Sequence, residues 1–309
     1  MVFVVGEEYN GKLLRDFIRS GCSVSRKTLC ALKEKNDGIL LNGTRVTVRA
    51  VVKAGDEVSL AIEDTAFDEN PYVCAEGTMP PIAYEDDSVI AVNKPAGMPT
   101  HTSFGHYGDA LSNAVCGYLK SKGLPFVFRA VNRLDLDTSG IVLIAKNKYY
   151  SSILSKSLGN GEFVKTYIAV VDGDIPDSGV IEGYIEREGK SIIKRCFSKT
   201  PTPEGEYSLT EYKTLAEKQG KRVLLVSPKT GRTHQIRVHL ASIGAPIIGD
   251  TMYGGASSLI PRQALHAYSL TFPSPITKKA VTVYAPLTED IVSLLDCFSL
   301  SIELNNDEN

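Results

Sequence analysis

The sequence lacks several signatures that would each point to a different class of protein. None of its apolar runs approaches the roughly 18–20 residues of a membrane span, so no membrane partner is expected. The opening MVFVVGEEYNGK has neither a basic n-region nor an apolar h-region of signal length, and a cytoplasmic location is the expectation. Cys22, Cys30, Cys74, Cys116, Cys196 and Cys297 contain no CxxC pair, which speaks against zinc and redox sites and for reduced thiols. The formal net charge of −2 excludes a uniformly basic nucleic-acid binder, although a local basic face remains open.

Three catalytic signatures also fail on counting. GYIEREGKS is not a phosphate loop, because five residues separate Gly183 from Gly189 where the phosphate cradle needs four. His234 and His239 are five apart with no intervening glutamate, unlike a zinc helix. No GxSxG elbow occurs. A catalytic serine or a metal site is therefore not expected.

What is present describes an ordinary globular chain of 309 residues, 43% hydrophobic and 23% charged, long enough for about two domains. GKLLRDFIRS places Leu13, Leu14, Phe17 and Ile18 on one helical face, and Ser25 suits the N-cap of a second helix carrying Leu29 and Leu32. GILLNGTRVTV alternates around Asn42-Gly43, a hairpin signal, and AGDEVSLAI reads as a further strand. Between Arg15 and Lys35 stand Arg15, Arg19, Arg26, Lys27, Lys33 and Lys35 against only Asp16 and Glu34. That excess fits a solvated helix face or a phosphate-binding one.

We expect residues 1–66 to form this small module, 67–81 a linker rich in acids and prolines, 82–300 the main domain and 301–309 a flexible tail. In the main domain SVIAVNKP, EFVKTYIAVVDG, GVIEGYIE, SLTEYKTLA and KRVLLVSP read as strands. GDALSNAVCGYLKSKG and RTHQIRVHLASIG read as helices. Strands outnumber helices without regular alternation, which favours an α+β fold with a mixed, largely antiparallel β-sheet.

Three segments look like more than packing. In AVNRLDLDTSGIVLIAKN, Arg133 and Asp135 flank Leu134 before a turn in which Gly140 permits close approach. In VKTYIAVV, Lys165 and Tyr167 share one side of a strand, where an aromatic ring can stack on a planar ligand. PKTGRTHQIRVHLASIGAPIIGDTMYGG concentrates Arg232, His234, Arg237 and His239. If its centre is helical, Thr233 and Arg237 share a face, and Arg237 needs an acidic partner that Asp135 or Asp137 could supply. Each segment taken alone also has a plain structural explanation: a surface turn, a core-edge tyrosine, a charged helix.

Together they resemble one family. NRLDLDTSG is similar to the HRLDxxTSG motif of the RluA-type pseudouridine synthases, and the other two segments resemble that family's K-x-Y strand and GRTHQIRVH motif. VIAVNKPAGMPTH and RQALHAYSLTFPSP resemble its first and C-terminal motifs, all in family order across residues 88–275. Residues 11–62 resemble the S4 RNA-binding domain found at the N-terminus of many members.

The resemblance implies an RNA uridine isomerase that needs no cofactor. It implies Asp135 as the essential carboxylate, with its role as nucleophile toward base or ribose, or as base, left open. It further implies Arg237 pairing with Asp135, Tyr167 stacking on the uracil, Arg133 entering the vacated space, Ile236 lining the pocket, and Lys165 in a structural or phosphate-directed place. Arg15, Arg19, Arg26, Lys27, Lys33 and Lys35 become candidates for RNA binding. Asn132 stands where the family usually has histidine, Leu136 where arginine is common, and Ser274 where histidine is common, which touches RNA choice more than chemistry. The expected partner is RNA, ribosomal large-subunit RNA ahead of transfer RNA, bound by a monomer. An inactive RNA-binding scaffold is an alternative; a nucleobase deaminase would need a zinc site that is not encoded.

Overall fold

The computed structural model describes residues 1–62 and 77–304. Most of the expected linker therefore lies outside the described residues, as does 305–309 of the expected tail. Residues 301–304 carry Ile302 and Leu304 against the large core rather than trailing away from it.

The N-terminal module has a four-stranded sheet of β1 (Val2–Val4), β2 (Ile39–Leu41), β3 (Thr44–Arg45) and β4 (Glu57–Leu60), in the order β1-β4-β2-β3. Asn42 and Gly43 close β2 onto β3 with φ of 49° and 76°, the two positive values of a primed hairpin turn. Helix α1 (Leu14–Asp16) runs directly into a π-helical turn, Phe17–Gly21. Leu14, Phe17 and Ile18 are in the core, but Leu13 is the extended residue just before α1 and stays half-buried, so the expected four-residue face is reduced to three. Helix α2 (Arg26–Glu34) starts where Ser25 accepts from the Thr28 N–H, as its N-cap position required.

The second sheet contains β5 (Ile82–Glu85), β6 (Val89–Lys94), β7 (Ser139–Ala145), β8 (Val164–Asp172), β9 (Ser178–Arg187), β10 (Arg195–Ser198), β11 (Glu206–Lys218), β12 (Lys221–Pro228), β13 (Leu265–Pro273) and β14 (Ala280–Tyr284). Its order is β10-β9-β11-β12-β8-β13-β7-β6-β5, with β14 added beside β13. Every pairing is antiparallel except β13 with β7. The fold is thus α+β with a mixed, largely antiparallel sheet.

The centre of this sheet is buried on both faces, which explains the unbroken apolar run of β7. Ile90, Val92, Val142 and Ile144 face the large core together with α3 (Leu111–Ser121). Val89, Ala91, Ile141, Leu143 and Ala145 face the other side, where α4 (Lys148–Gly159) contributes Leu154. Helix α5 (Gln235–Ser242) and helix α6 (Glu289–Cys297) complete the large core through Ile236, Leu240, Ile291 and Leu294.

Helix α4 also joins the two parts of the molecule. Tyr149 packs into the core of the N-terminal module, edge-on to Phe3, and its hydroxyl donates to the Cys22 carbonyl at 2.6 Å. Tyr150 and Ile153 extend the same contact.

Candidate active site

The segment Asn132–Thr138 leads into β7 at the point where β7 meets β13. Gly140 is needed there: its φ is 113°, and a Cβ would fall 2.2 Å from the Ala267 carbonyl oxygen. The segment is fastened along its length. Asn132 donates to the Ile141 carbonyl and accepts from the Leu143 N–H at 3.0 and 2.8 Å, a task for a neutral side chain with both a donor and an acceptor. Thr100 bonds both backbone groups of Leu134. The ammonium of Lys94, fully buried, donates to the carbonyls of Pro95, Met98 and Leu136 at 2.9, 2.7 and 3.0 Å. Burial pulls its pKa down to about 7, against the fields of Asp137 and Asp135.

Asp135 emerges from this braced loop toward α5. Arg237 Nη1 donates to Asp135 Oδ2 at 3.2 Å. The same guanidinium makes a closer, two-point contact with Asp250, at 2.6 Å from Nε and 2.9 Å from Nη2. Of the two acids expected as partners of Arg237, Asp135 makes the contact and Asp137 does not. Asp250 is a further and closer partner, its side chain 1% exposed, while Asp135 sits at the mouth of the pair at 23%. Asp137 takes a different position, its carbonyl accepting from Arg262. Burial works against the Arg237 charge, but the bonds to Asp250 and the two carboxylate fields outweigh it and hold the guanidinium above its usual range.

Strand β8 brings Lys165 and Tyr167 to the same side, since alternate residues share a face. Tyr167 is buried, and burial followed by the Asp135 field pushes its phenol upward, keeping it protonated. Lys165 donates to the Thr230 carbonyl at 3.2 Å, and burial lowers its pKa.

Asp135, Tyr167, Arg237, Arg133, Ile236 and Lys165 line one cavity of about 220 Å³. That is below the roughly 300–1,000 Å³ of drug-sized sites, and suits one planar base. Leu134, Leu158 and Leu265 supply apolar wall, and Arg133 is exposed at the rim.

The expected helix over the GRTHQIRVH segment begins only at Gln235, so Thr233 lies outside it; His234 precedes it in a left-handed conformation. Arg15, Arg19, Arg26, Lys27, Lys33 and Lys35 do not enter the cavity. All are exposed on the N-terminal module, Arg15 beside Asp16 at 3.2 Å. The residues missed by sequence reasoning are Asp250, Lys94 and Tyr253, whose ring lies 5.2 Å from the Arg237 guanidinium and whose hydroxyl meets His234 Nδ1 at 3.0 Å. Asp250 and Tyr253 lie in the same glycine-bounded segment as Arg237, but nothing in their spacing from it marks them. Among the described residues, no group of three or more His, Cys, Asp or Glu is arranged to hold a metal ion.

Comparison with known proteins gives this arrangement a context. The family model described as RNA pseudouridylate synthase matches residues 88–242. A Bacillus subtilis protein, the uncharacterized RNA pseudouridine synthase YjbO, is 34% identical over 290 residues, 94% of this chain and 97% of its own. The ribosomal large subunit pseudouridine synthase D of Neisseria meningitidis serogroup A is 32% identical over 309 residues, 96% of this chain and 79% of its own. Among solved structures, human RNA pseudouridylate synthase domain containing 1 superimposes with a TM-score of 0.60 at 26% identity, covering 75% of this chain and 92% of that one.

Proposed function

Because the chain belongs to the RNA pseudouridylate synthase family and is an enzyme that isomerises uridine in RNA, we propose that Asp135 is its catalytic carboxylate and that its substrate is a uridine of large-subunit ribosomal RNA. The observation that carries the first part is the set of Asp135, Arg237 and Tyr167 around one base-sized cavity. Two things support the second: relatives named as ribosomal large subunit synthases, and an exposed basic face on a module that we read as S4-like, residues 1–66.

A uridine inside a helix cannot reach such a cavity, so it is flipped out and held by stacking and edge contacts. Tyr167 provides the stacking face, Ile236 closes the wall, and Arg133 at the rim fills the space the base leaves. The N1–C1′ bond breaks, the base turns, and a C5–C1′ bond forms; C5 loses a proton and N1 gains one, so the sum is an isomerisation. Arg237, fixed by Asp250, holds the Asp135 carboxylate at the reacting ribose and base. Lys165 braces the Thr230 loop across from it.

Carbodiimide mapping of cellular RNA with and without the gene tests the reading. Loss of a signal in large-subunit RNA is the expected result. A signal lost only from transfer RNA moves the substrate assignment, and no lost signal leaves an RNA-binding scaffold in place of an enzyme.

A further inference from the structure

The residue just before α5 has no part in the scheme above. His234 has φ 57° and ψ 18°. For a residue with a Cβ this left-handed conformation costs roughly 1–2 kcal/mol and persists where its surroundings impose it. It occupies the N-cap position of α5, yet its side chain makes no capping bond. The imidazole lines the cavity instead.

Its two ring nitrogens have different neighbours. Nδ1 lies 3.0 Å from the Tyr253 hydroxyl oxygen. That oxygen already accepts the Arg195 backbone N–H at 2.9 Å. A backbone N–H can only donate, so the phenol keeps its own hydrogen to give, and His234 Nδ1 is the acceptor in reach. In that arrangement the neutral ring carries its hydrogen on Nε2. Burial keeps the ring neutral by lowering its pKa; the Asp135 and Asp250 carboxylates oppose that, and Arg237 and Arg195 reinforce it. Nε2 stands 3.9 Å from Asp135 Oδ2, beyond hydrogen-bond distance, so its N–H is uncommitted beside the carboxylate.

Whichever first step Asp135 takes, the N1–C1′ bond has to break, and its electron pair leaves with the base. The charge spreads onto the uracil carbonyl oxygens. A fixed neutral donor in a desolvated site favours that state over the ground state. We propose that His234 is a further catalytic residue whose Nε2–H, held in that tautomer by the Tyr253 hydroxyl, donates a hydrogen bond to a carbonyl oxygen of the flipped uracil as the glycosidic bond breaks. The proposal rests on the function proposed above.

The test compares His234→Asn with His234→Gln. Asparagine tolerates the left-handed backbone and reaches the Nδ1 position, but offers no donor where Nε2 was. Glutamine reaches the Nε2 position with an N–H. With the large-subunit RNA mapped above, His234→Asn should lower the single-turnover rate about 10²-fold with RNA affinity within about twofold, and His234→Gln should regain roughly tenfold of that. Tyr253→Phe should give an intermediate loss. RNA carrying 2-thiouridine or 4-thiouridine at the target adds a chemical cycle, because sulfur is a weak acceptor. One of the two should slow the wild type, and the same substitution should have little effect in His234→Asn. Equal losses in both His234 variants, an unaltered His234→Asn rate, or an unchanged thio effect would overturn the proposal alone. A wild-type protein that isomerises no RNA overturns the functional reading and the proposal with it.

Discussion

Arg237 and Lys27 carry the same charge under opposite conditions. The Arg237 side chain is 8% exposed and wedged between Asp250 and Asp135. Lys27 stands in solvent on α2, with no carboxylate within ion-pair distance among the described residues. The cavity gathers its charges into a desolvated set in which each partner depends on the others, whereas the N-terminal face spreads its charges where water screens them. Chemistry on one base needs fixed groups at fixed distances. Holding a long polyanion needs only enough positive charge on one side. Single substitutions should therefore be severe in the first region and graded in the second.

The largest effect is expected from Asp135→Asn. The amide is nearly isosteric but can act neither as nucleophile nor as base. Turnover, followed as tritium released from C5-labelled RNA, should fall by about 10⁴-fold or more with folding and RNA binding retained. Asp137→Asn, two residues away, should be mild, because the contact that Asp137 makes to Arg262 uses its backbone carbonyl. Substantial turnover in Asp135→Asn would remove the carboxylate from the mechanism.

Next comes Arg237→Met, which strands a buried carboxylate at a cost of about 3–5 kcal/mol. The stranded group is chiefly Asp250. Hence Asp250→Asn should recover more of the lost stability than Asp135→Asn does. Double-mutant cycles by denaturant unfolding check this; stronger coupling to Asp135 than to Asp250 would contradict the geometry.

That ranking of partners is where sequence reasoning stopped short. The strands, the Asn42-Gly43 hairpin and the Ser25 cap follow from alternation and turn chemistry, and the convergence of Asp135, Lys165, Tyr167 and Arg237 was implied by the family resemblance alone. Asp250 does not, because it sits 13 residues past Arg237 across a loop with no period. Lys94 was hidden for a different reason: its partners are carbonyls, which leave no trace in residue identity. Helix α4 was also unread. Its apolar residues serve two cores, Tyr149 the N-terminal module and Leu154 the sheet, so no single stripe marks it.

Tyr167→Phe should be smaller than either change above, and it separates two uses of one side chain. The ring and its stacking face remain, so RNA affinity should stay near the wild type. Loss of the hydroxyl should slow single-turnover isomerisation by about 10²-fold if it handles a proton at C5. The phenol is protonated at rest, so such a role begins with a proton to give or to pass on. An unchanged rate would confine Tyr167 to stacking.

The smallest effects belong to the basic face. Deleting residues 1–66 is a poor way to measure it, because Tyr149, Tyr150 and Ile153 of the catalytic part are packed against that module and would be bared. Neutralising Arg19, Arg26, Lys27, Lys33 and Lys35 one at a time to glutamine leaves that packing alone. Where the side chain meets a phosphate, its neutralisation should weaken ribosomal RNA binding modestly and flatten the dependence of log affinity on log salt by about one unit or a little less. The weakening should be greatest at low salt, and turnover at saturating RNA should not change. Filter binding and single-turnover rates across a salt series, on ribosomal and transfer RNA, read both quantities. A residue whose neutralisation changes the rate but not the salt slope belongs with the cavity rather than the face. Unchanged slopes throughout, or flattening seen with transfer RNA alone, would take ribosomal RNA off this surface.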